Sequence, residues 1–175
     1  MKTATDIETH APSITRAPAI GGWKLTSSVT LPHSRERIFE FFSDAFNLQE
    51  ITPSWVHFQI LTPGPIQIEQ GTLIDYRLHL QGIPVRWRTE ICAWDAPLSF
   101  CDRQLRGPYR MWEHTHRFET VPEGTLMTDE VLYRVPGGAL IHTLFVRRKL
   151  VQIFAYRRAK MLSLFGASAV EKATA

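Results

Sequence analysis

Turn signals divide the middle of the chain into short segments, and this division limits the folds available to it. Between residues 56 and 135, six apolar and aromatic runs are separated by turns that contain Pro or Gly. The runs cover residues 56–61, 72–80, 83–94, 98–106, 110–119 and 125–135. Because parallel strands need long crossovers, short connections of this kind predict consecutive antiparallel hairpins.

The segments on either side complete an α+β pattern. A further strand is predicted from about residue 23 to residue 31, followed by two short helices capped by Ser34 and Asp44. Apolar residues recur at helical spacing between residues 140 and 165, and Gly166 is a natural stop. The pattern predicts seven antiparallel strands with a long C-terminal helix along the sheet. We place the domain at residues 21–166, with a disordered tail at 1–20 and a frayed tail at 167–175.

Composition narrows the class of protein. With 44% hydrophobic and 21% charged residues, the chain is typical of a globular protein. No apolar run approaches the roughly 20 residues of a membrane span, and the N-terminus lacks a signal segment, so a cytoplasmic location is expected. The two cysteines are then expected as thiols. We assign no cofactor, because there is no Gly-rich phosphate loop, nucleophile elbow or Cys-x-x-Cys motif.

The positive charge is concentrated near the C-terminus. Residues 138–165 contain six basic side chains and no acidic one. Without these six of the 20 basic residues, 14 remain against 17 acidic residues, which weighs against a nucleic-acid-binding domain. The basic helix is interpreted as a solvated face, with contact to anionic lipid or to an acidic partner as the alternative.

The strand predicted at residues 110–119 carries an unusual face. Alternation places Trp112, His114, His116 and Phe118 on one side and charged residues on the other. An aromatic face that also carries titratable groups indicates a pocket wall.

Hairpin register, guessed from the turns, extends this wall to other strands. Asp75 then lies opposite Arg88, Glu90 and Glu113 opposite Arg103, and Arg117 opposite Glu130, all on one outer face. The same register places Cys92 opposite Cys101, and Asp102 and Tyr133 beside His114. The predicted ligand-binding residues are the inner-face side chains and one helix residue: Tyr76, Leu78, Trp87, Thr89, Phe100, Asp102, Gln104, Trp112, His114, His116, Phe118, Asp129, Tyr133 and Phe154.

The histidines allow several interpretations. They can be satisfied core residues, anchors for the polar end of a ligand, or catalytic groups, with His114 as a base, Asp102 as its orienting group and Tyr133 as a donor. The His114 and His116 spacing also suits a metal, with Asp102 or Asp129 as a third ligand. No metal site is assigned, because third and fourth ligands are not clear from sequence.

Several stretches resemble one family. They are LPHSRERIFEFF at 31–42, LTPGP at 61–65, GTLIDY at 71–76, RGPYR at 106–110 and WEHTHRFE at 112–119. Together with the order of elements, they resemble the START-like (SRPBCC) superfamily, and within it the bacterial polyketide cyclase/dehydrase-like branch. The resemblance implies a helix-grip fold, in which a curved sheet wraps around the last helix and leaves an apolar cavity. Relatives bind lipids, polyketides, sterols, quinones or hormones, and some are enzymes.

Binding of a small hydrophobic molecule in that cavity is therefore the first hypothesis for function. The alternative is a cyclase or dehydratase acting on a polyketide-like carbonyl substrate. A third hypothesis is an interaction protein that uses the basic helix.

Overall fold

The computed structural model describes residues 10–166 and shows an α+β fold. Eight strands form one antiparallel sheet in the order β1-β2-β8-β7-β6-β5-β4-β3. The strands are β1 (Ser13–Ala17), β2 (Gly22–Leu31), β3 (Gln59–Ile60), β4 (Leu73–Leu80), β5 (Ile83–Asp95), β6 (Ser99–Arg106), β7 (Met111–Val121) and β8 (Gly124–Arg134). The helices are α1 (Arg35–Ser43), α2 (Asn47–Glu50), α3 (Gly138–Ile141) and α4 (Arg147–Phe165), with a π-helical turn at His142–Val146 and 3₁₀ turns at Pro18–Ile20 and Ser54–Val56.

The strand count corrects the prediction of seven. The additional strand, β1, pairs antiparallel with β2, and Arg16 lies over the indole ring of Trp23. Residues 10–20 are therefore ordered, contrary to the predicted tail, while residues 1–9 and the predicted tail at 167–175 lie outside the described residues. The error arose because β1 is short and mostly exposed, so it lacks the apolar alternation that marks the other strands.

Both short helices form, but only the first is capped as predicted, because the N-cap residue of α2 is Phe46 and not Asp44. The Ser34 hydroxyl accepts a hydrogen bond from the Arg37 amide at the start of α1. This helix buries Ile38, Phe39 and Phe42 against the end of the sheet. The Asp44 carboxylate accepts from the Phe46 amide, just before α2.

Most of the predicted register is confirmed. Asp75 pairs with Arg88 and forms two 2.8 Å contacts with its guanidinium group, and Arg103 bonds to Glu90 at 2.9 Å. Arg103 also lies opposite Glu113. The outer face is thus the wet face, as the charges predicted.

Two details of the register were wrong. A bulge in β5 places Ala93 opposite Cys101, so the Cys92 side chain contacts the Cys101 carbonyl and both thiols are free. The β7–β8 turn lies one residue earlier than expected, because Val121 pairs with Gly124.

That turn shifts the β7–β8 pairing by two residues. His114 faces Val131, His116 faces Asp129, and Arg117 faces Thr128. A shift of two preserves the face of every side chain but changes its neighbours.

The C-terminal helix runs from Gly138 to Phe165 with the π turn near its start. Its buried residues within α4 are Leu150, Phe154, Arg157 and Met161. The apolar pattern between residues 140 and 165 includes Leu140 and Leu144, which predicts that they broaden the buried face, but both are exposed. The extra residue of a π turn rotates the preceding residues by about 100° relative to a regular helix, which accounts for the difference. Among the described residues, no helix is long and apolar enough to cross a membrane.

A candidate ligand cavity with a polar wall

A cavity of about 180 Å³ lies between the sheet and α4, with the α1–α2 segment at one end. Strands β4, β5, β6 and β7 supply one wall, because their alternating side chains point towards the helix. Leu150, Ile153, Phe154 and Arg157 of α4 supply the opposite wall. Most of the lining is apolar or aromatic. The main cluster of carboxylate, imidazole and guanidinium side chains lies on β6, β7 and α4, and Asp44, Asn47 and Thr52 add polar groups at the α1–α2 end.

Ten of the fourteen predicted ligand-binding residues line this cavity. They are Tyr76, Leu78, Trp87, Thr89, Phe100, Asp102, Trp112, His114, His116 and Phe154. They come together because the alternation along each strand was assigned to the correct face. Whether they bind a ligand remains a prediction.

The other four predicted residues have different positions. Gln104 bonds through its side chain to the backbone of Tyr109 and so holds the β6–β7 loop. Phe118 belongs to the core beneath α1. Asp129 lies behind the two histidines, away from the cavity.

Tyr133, the fourth of these residues, was expected beside His114 but lies elsewhere. It is fully buried, and its hydroxyl lies 3.0 Å from Nε2 of His142. The His142 ring in turn stacks on Trp23 with centroids 3.9 Å apart. The two-residue shift of the β7–β8 pairing explains why Tyr133 faces Trp112 and not His114.

The polar wall is a cluster of two carboxylates and two imidazoles, all facing inward from three adjacent strands. Asp129 Oδ1 lies 2.9 Å from His114 Nε2 and 2.9 Å from His116 Nδ1. The first contact is an aligned hydrogen bond, whereas the second is close but poorly aligned. On the cavity side, Asp102 Oδ2 lies 3.6 Å from His114 Nδ1 and 3.4 Å from His116 Nε2.

Burial and the contacts within the cluster shift the pKa values of its members in different directions. Burial alone would raise the pKa of Asp129 and of Asp102, but the adjacent histidines outweigh it and both pKa values are lowered. Burial lowers the pKa of His114, and the neighbouring His116 lowers it further. Burial also opposes charge on His116, but the carboxylates of Asp102 and Asp129 outweigh it and raise its pKa. Of the two imidazoles, His116 is therefore the one that binds a proton more readily.

Arg157 is a residue of the site that the sequence interpretation missed, because it was assigned to a solvated basic face. It is 8% exposed and lines the cavity, and its Nη1 lies 3.8 Å from Asp129 Oδ1. Nε and Nη1 have no hydrogen-bond partner among the described residues. Its spacing from Phe154 and Met161 fits the buried stripe of the helix, and this was the signal available in the sequence.

Comparison with known families settles the relationship suggested by this fold. A family model described as "Polyketide cyclase / dehydrase and lipid transport" matches residues 31–152. The chain belongs to this family. The match runs from the last residue of β2 into the start of α4, and it includes most of the residues that line the cavity.

Solved structures of distant proteins share the fold. Protein Ms6760 from Mycobacterium smegmatis is 15% identical, with 87% of this chain and 95% of that chain covered and a TM-score of 0.63. CV1439 from Chromobacterium violaceum is 10% identical, with coverage of 83% and 99% and a TM-score of 0.65. Major latex-like protein 151 from Panax ginseng is 15% identical, with coverage of 81% and 96% and a TM-score of 0.60. Comparison with curated proteins found no match.

Proposed function

We propose that this member of the polyketide cyclase/dehydrase and lipid transport family binds a compact hydrophobic molecule between the sheet and α4. The observation that carries the proposal is a cavity with a mostly apolar, aromatic lining and a cluster of polar side chains on its β6–β7 wall. Ligand sites are mostly apolar with a few polar groups that set orientation, whereas a filled core has neither space nor unpaired donors. The family description supports the same class of ligand.

The size of the cavity limits the ligand. A volume of about 180 Å³ is slightly larger than the ~150 Å³ cavity that accepts benzene in an engineered protein. A molecule of one or two rings fits this space, whereas a long extended lipid chain would require the cavity to enlarge.

The polar wall orients the ligand in this proposal. Asp102 accepts hydrogen bonds, and Arg157 has two buried donors, Nε and Nη1, that lack hydrogen-bond partners among the described residues. A ligand with a hydroxyl or carbonyl group at one end satisfies these donors, which removes the free-energy penalty of leaving them unpaired.

The cyclase or dehydratase alternative is not proposed. Tyr133, its assigned donor to a developing oxyanion, is bonded to His142 and does not line the cavity. The group that orients His114 through an aligned hydrogen bond is Asp129 rather than Asp102.

Isothermal titration calorimetry with 2-naphthol tests the proposal. Ile153 is half-buried on the cavity wall, so Ile153→Trp should fill the space and weaken binding about tenfold or more. Gln152→Trp, at the next and exposed position of α4, is the matched control and should bind like the wild type. Absence of binding to the wild type, or equal binding by Ile153→Trp, would contradict the proposal.

A further inference from the structure

Three electron-pair donors converge on the cavity side of the polar wall. They are His114 Nδ1, His116 Nε2 and Asp102 Oδ2, and they all lie within 4.8 Å of one another. Asp102 Oδ2 is 3.6 Å from the first nitrogen and 3.4 Å from the second. Zinc ligands at about 2.0–2.1 Å in a tetrahedral site are separated by roughly 3.3–3.5 Å, so Asp102 already lies near the required distance from each imidazole.

The opposite edges of the imidazoles are occupied by Asp129. Its Oδ1 lies 2.9 Å from His114 Nε2 and 2.9 Å from His116 Nδ1. The hydrogen bond from His114 Nε2 to Asp129 fixes a proton on that nitrogen and leaves the lone pair of His114 Nδ1 directed towards Asp102. The close but poorly aligned approach of Asp129 to His116 Nδ1 favours the same arrangement, with the lone pair on His116 Nε2. Metal-binding histidines commonly donate a hydrogen bond from the N–H of their second ring nitrogen to a carboxylate, which fixes the tautomer and the ring orientation.

The three donor atoms can lie this close together only if a positive charge lies between them. Two lone pairs and a carboxylate oxygen repel one another unless a proton or a cation lies between them. A proton on His116 is one solution. A divalent ion is the other, and the cavity in front of Asp102 leaves space for a further ligand of the ion.

The scaffold holds the three donors in place. His114 and His116 are two residues apart on the inner face of β7, and Asp102 on β6 is paired directly with His114. Sites on paired strands are held more accurately than sites on loops. The guanidinium group of Arg157 partly neutralises the negative charge of Asp129. The cluster therefore contains two carboxylates and only one permanently charged cation.

We propose that Asp102, His114 and His116 bind one divalent transition-metal ion, of which Zn²⁺ is the preferred example, with an open coordination position directed into the cavity. Two imidazoles and one carboxylate suit Zn²⁺, Co²⁺, Ni²⁺ or Fe²⁺ better than Mg²⁺ or Ca²⁺. The sequence could not assign this site, because the position of the third ligand depends on the β6–β7 pairing.

The test uses the full chain without a histidine tag, stripped with a chelator and titrated with Zn²⁺ and with Co²⁺. One ion per chain is expected. Asp102→Asn and His116→Gln should each weaken binding by about 100-fold or more. Asp129→Asn should weaken it by about 10- to 100-fold, since it removes the carboxylate charge behind the imidazoles but no ligand of the ion. Circular dichroism checks that each variant is folded.

A surface site is the main rival, because the rings of His57 and His79 lie 4.8 Å apart. The variant His57→Ala/His79→Ala is the matched control and should retain the one-ion stoichiometry. If stoichiometric binding is lost in this control, or if the wild type binds no ion, the proposal is overturned.

X-ray absorption of the Co²⁺ complex of His57→Ala/His79→Ala leaves the proposed ligands unchanged and decides the case even if His116→Gln fails to fold. Two imidazole ligands are expected. A count of none or one contradicts the assignment.

Discussion

At the scale of single residues, the interior holds its histidines in different states. His114 and His116 share Asp129, whereas His142 lies apart, 3% exposed, with its ring against Trp23 and its Nε2 beside the Tyr133 hydroxyl. Burial raises the pKa of Tyr133, so its hydroxyl stays protonated. The Nε2 of a neutral His142 can accept a hydrogen bond from this hydroxyl, whereas a protonated ring has no free acceptor nitrogen.

The neutral His142 predicts a loss of stability in mild acid. Burial lowers the pKa of His142 below its ordinary value of 6.5, and the nearby Arg147 and Arg16 lower it further. The unfolded chain then binds the proton more readily, so this contribution to stability is intact above pH 6.5 and is lost as the pH falls towards the folded-state pKa.

Urea unfolding at about pH 7.5 and about pH 5.5 measures this effect. The wild type should lose more free energy of unfolding between the two values than His142→Gln, which keeps an acceptor for Tyr133 but does not titrate. His57→Gln, at an exposed position, should behave like the wild type. An equal loss in wild type and His142→Gln would contradict the assignment.

At the scale of elements, the sequence predicted which face each strand buries better than it predicted the strands' neighbours. Side chains alternate with a period of two, so an error of two residues in the β7–β8 pairing left every residue on its face. The error nevertheless changed the predicted neighbours of the histidines. Tyr133 was predicted beside His114, whereas the structure places Asp129 beside both histidines. A turn position decides such a register, and several turns fit the same Pro-Glu-Gly segment.

Arg157 was missed for a different reason. The charge of its side chain predicted a surface position, whereas its helical spacing from Phe154 and Met161 predicted a buried one. Only the packed structure shows that Asp129 lies within reach of the guanidinium group. The β1 strand was missed because an exposed edge strand needs no apolar pattern.

Gly124, which pairs with Val121 at the β7–β8 turn, is a position where a larger residue should destabilise the fold. Its φ is +131°, and a Cβ at this position would collide with the carbonyl oxygen of Leu31 and the backbone of Pro32 and His33. Gly124→Ala should therefore lower the free energy of unfolding by at least about 3 kcal/mol, from strain and collision together.

Gly71→Ala is the matched control for that prediction. Gly71 also has a positive φ, of +91°, but a Cβ there would meet nothing within 4 Å. Its cost should be limited to backbone strain, about 1–2 kcal/mol. Chemical denaturation of both variants measures the difference, and equal losses would refute the role assigned to the Leu31 contact.

At the scale of the whole molecule, one antiparallel sheet and one long helix enclose a space that their side chains do not fill. The aromatic residues of β4–β7 and the apolar face of α4 give this space its lining. Asp102, His114, His116 and Arg157 form its main polar region. The fold and the inner face were predictable from turns and alternation, whereas the volume left over depends on all side chains together.

Ligand contacts in solution test the central claim, that a compact apolar molecule occupies this space. In an isotope-filtered NOE experiment on the methyl-labelled full chain, the ring protons of 2-naphthol should show contacts to the methyl groups of Leu78, Leu150 and Ile153, which line the cavity. Contacts only to the exposed Leu140 and Leu144, or no contacts at all, would contradict it.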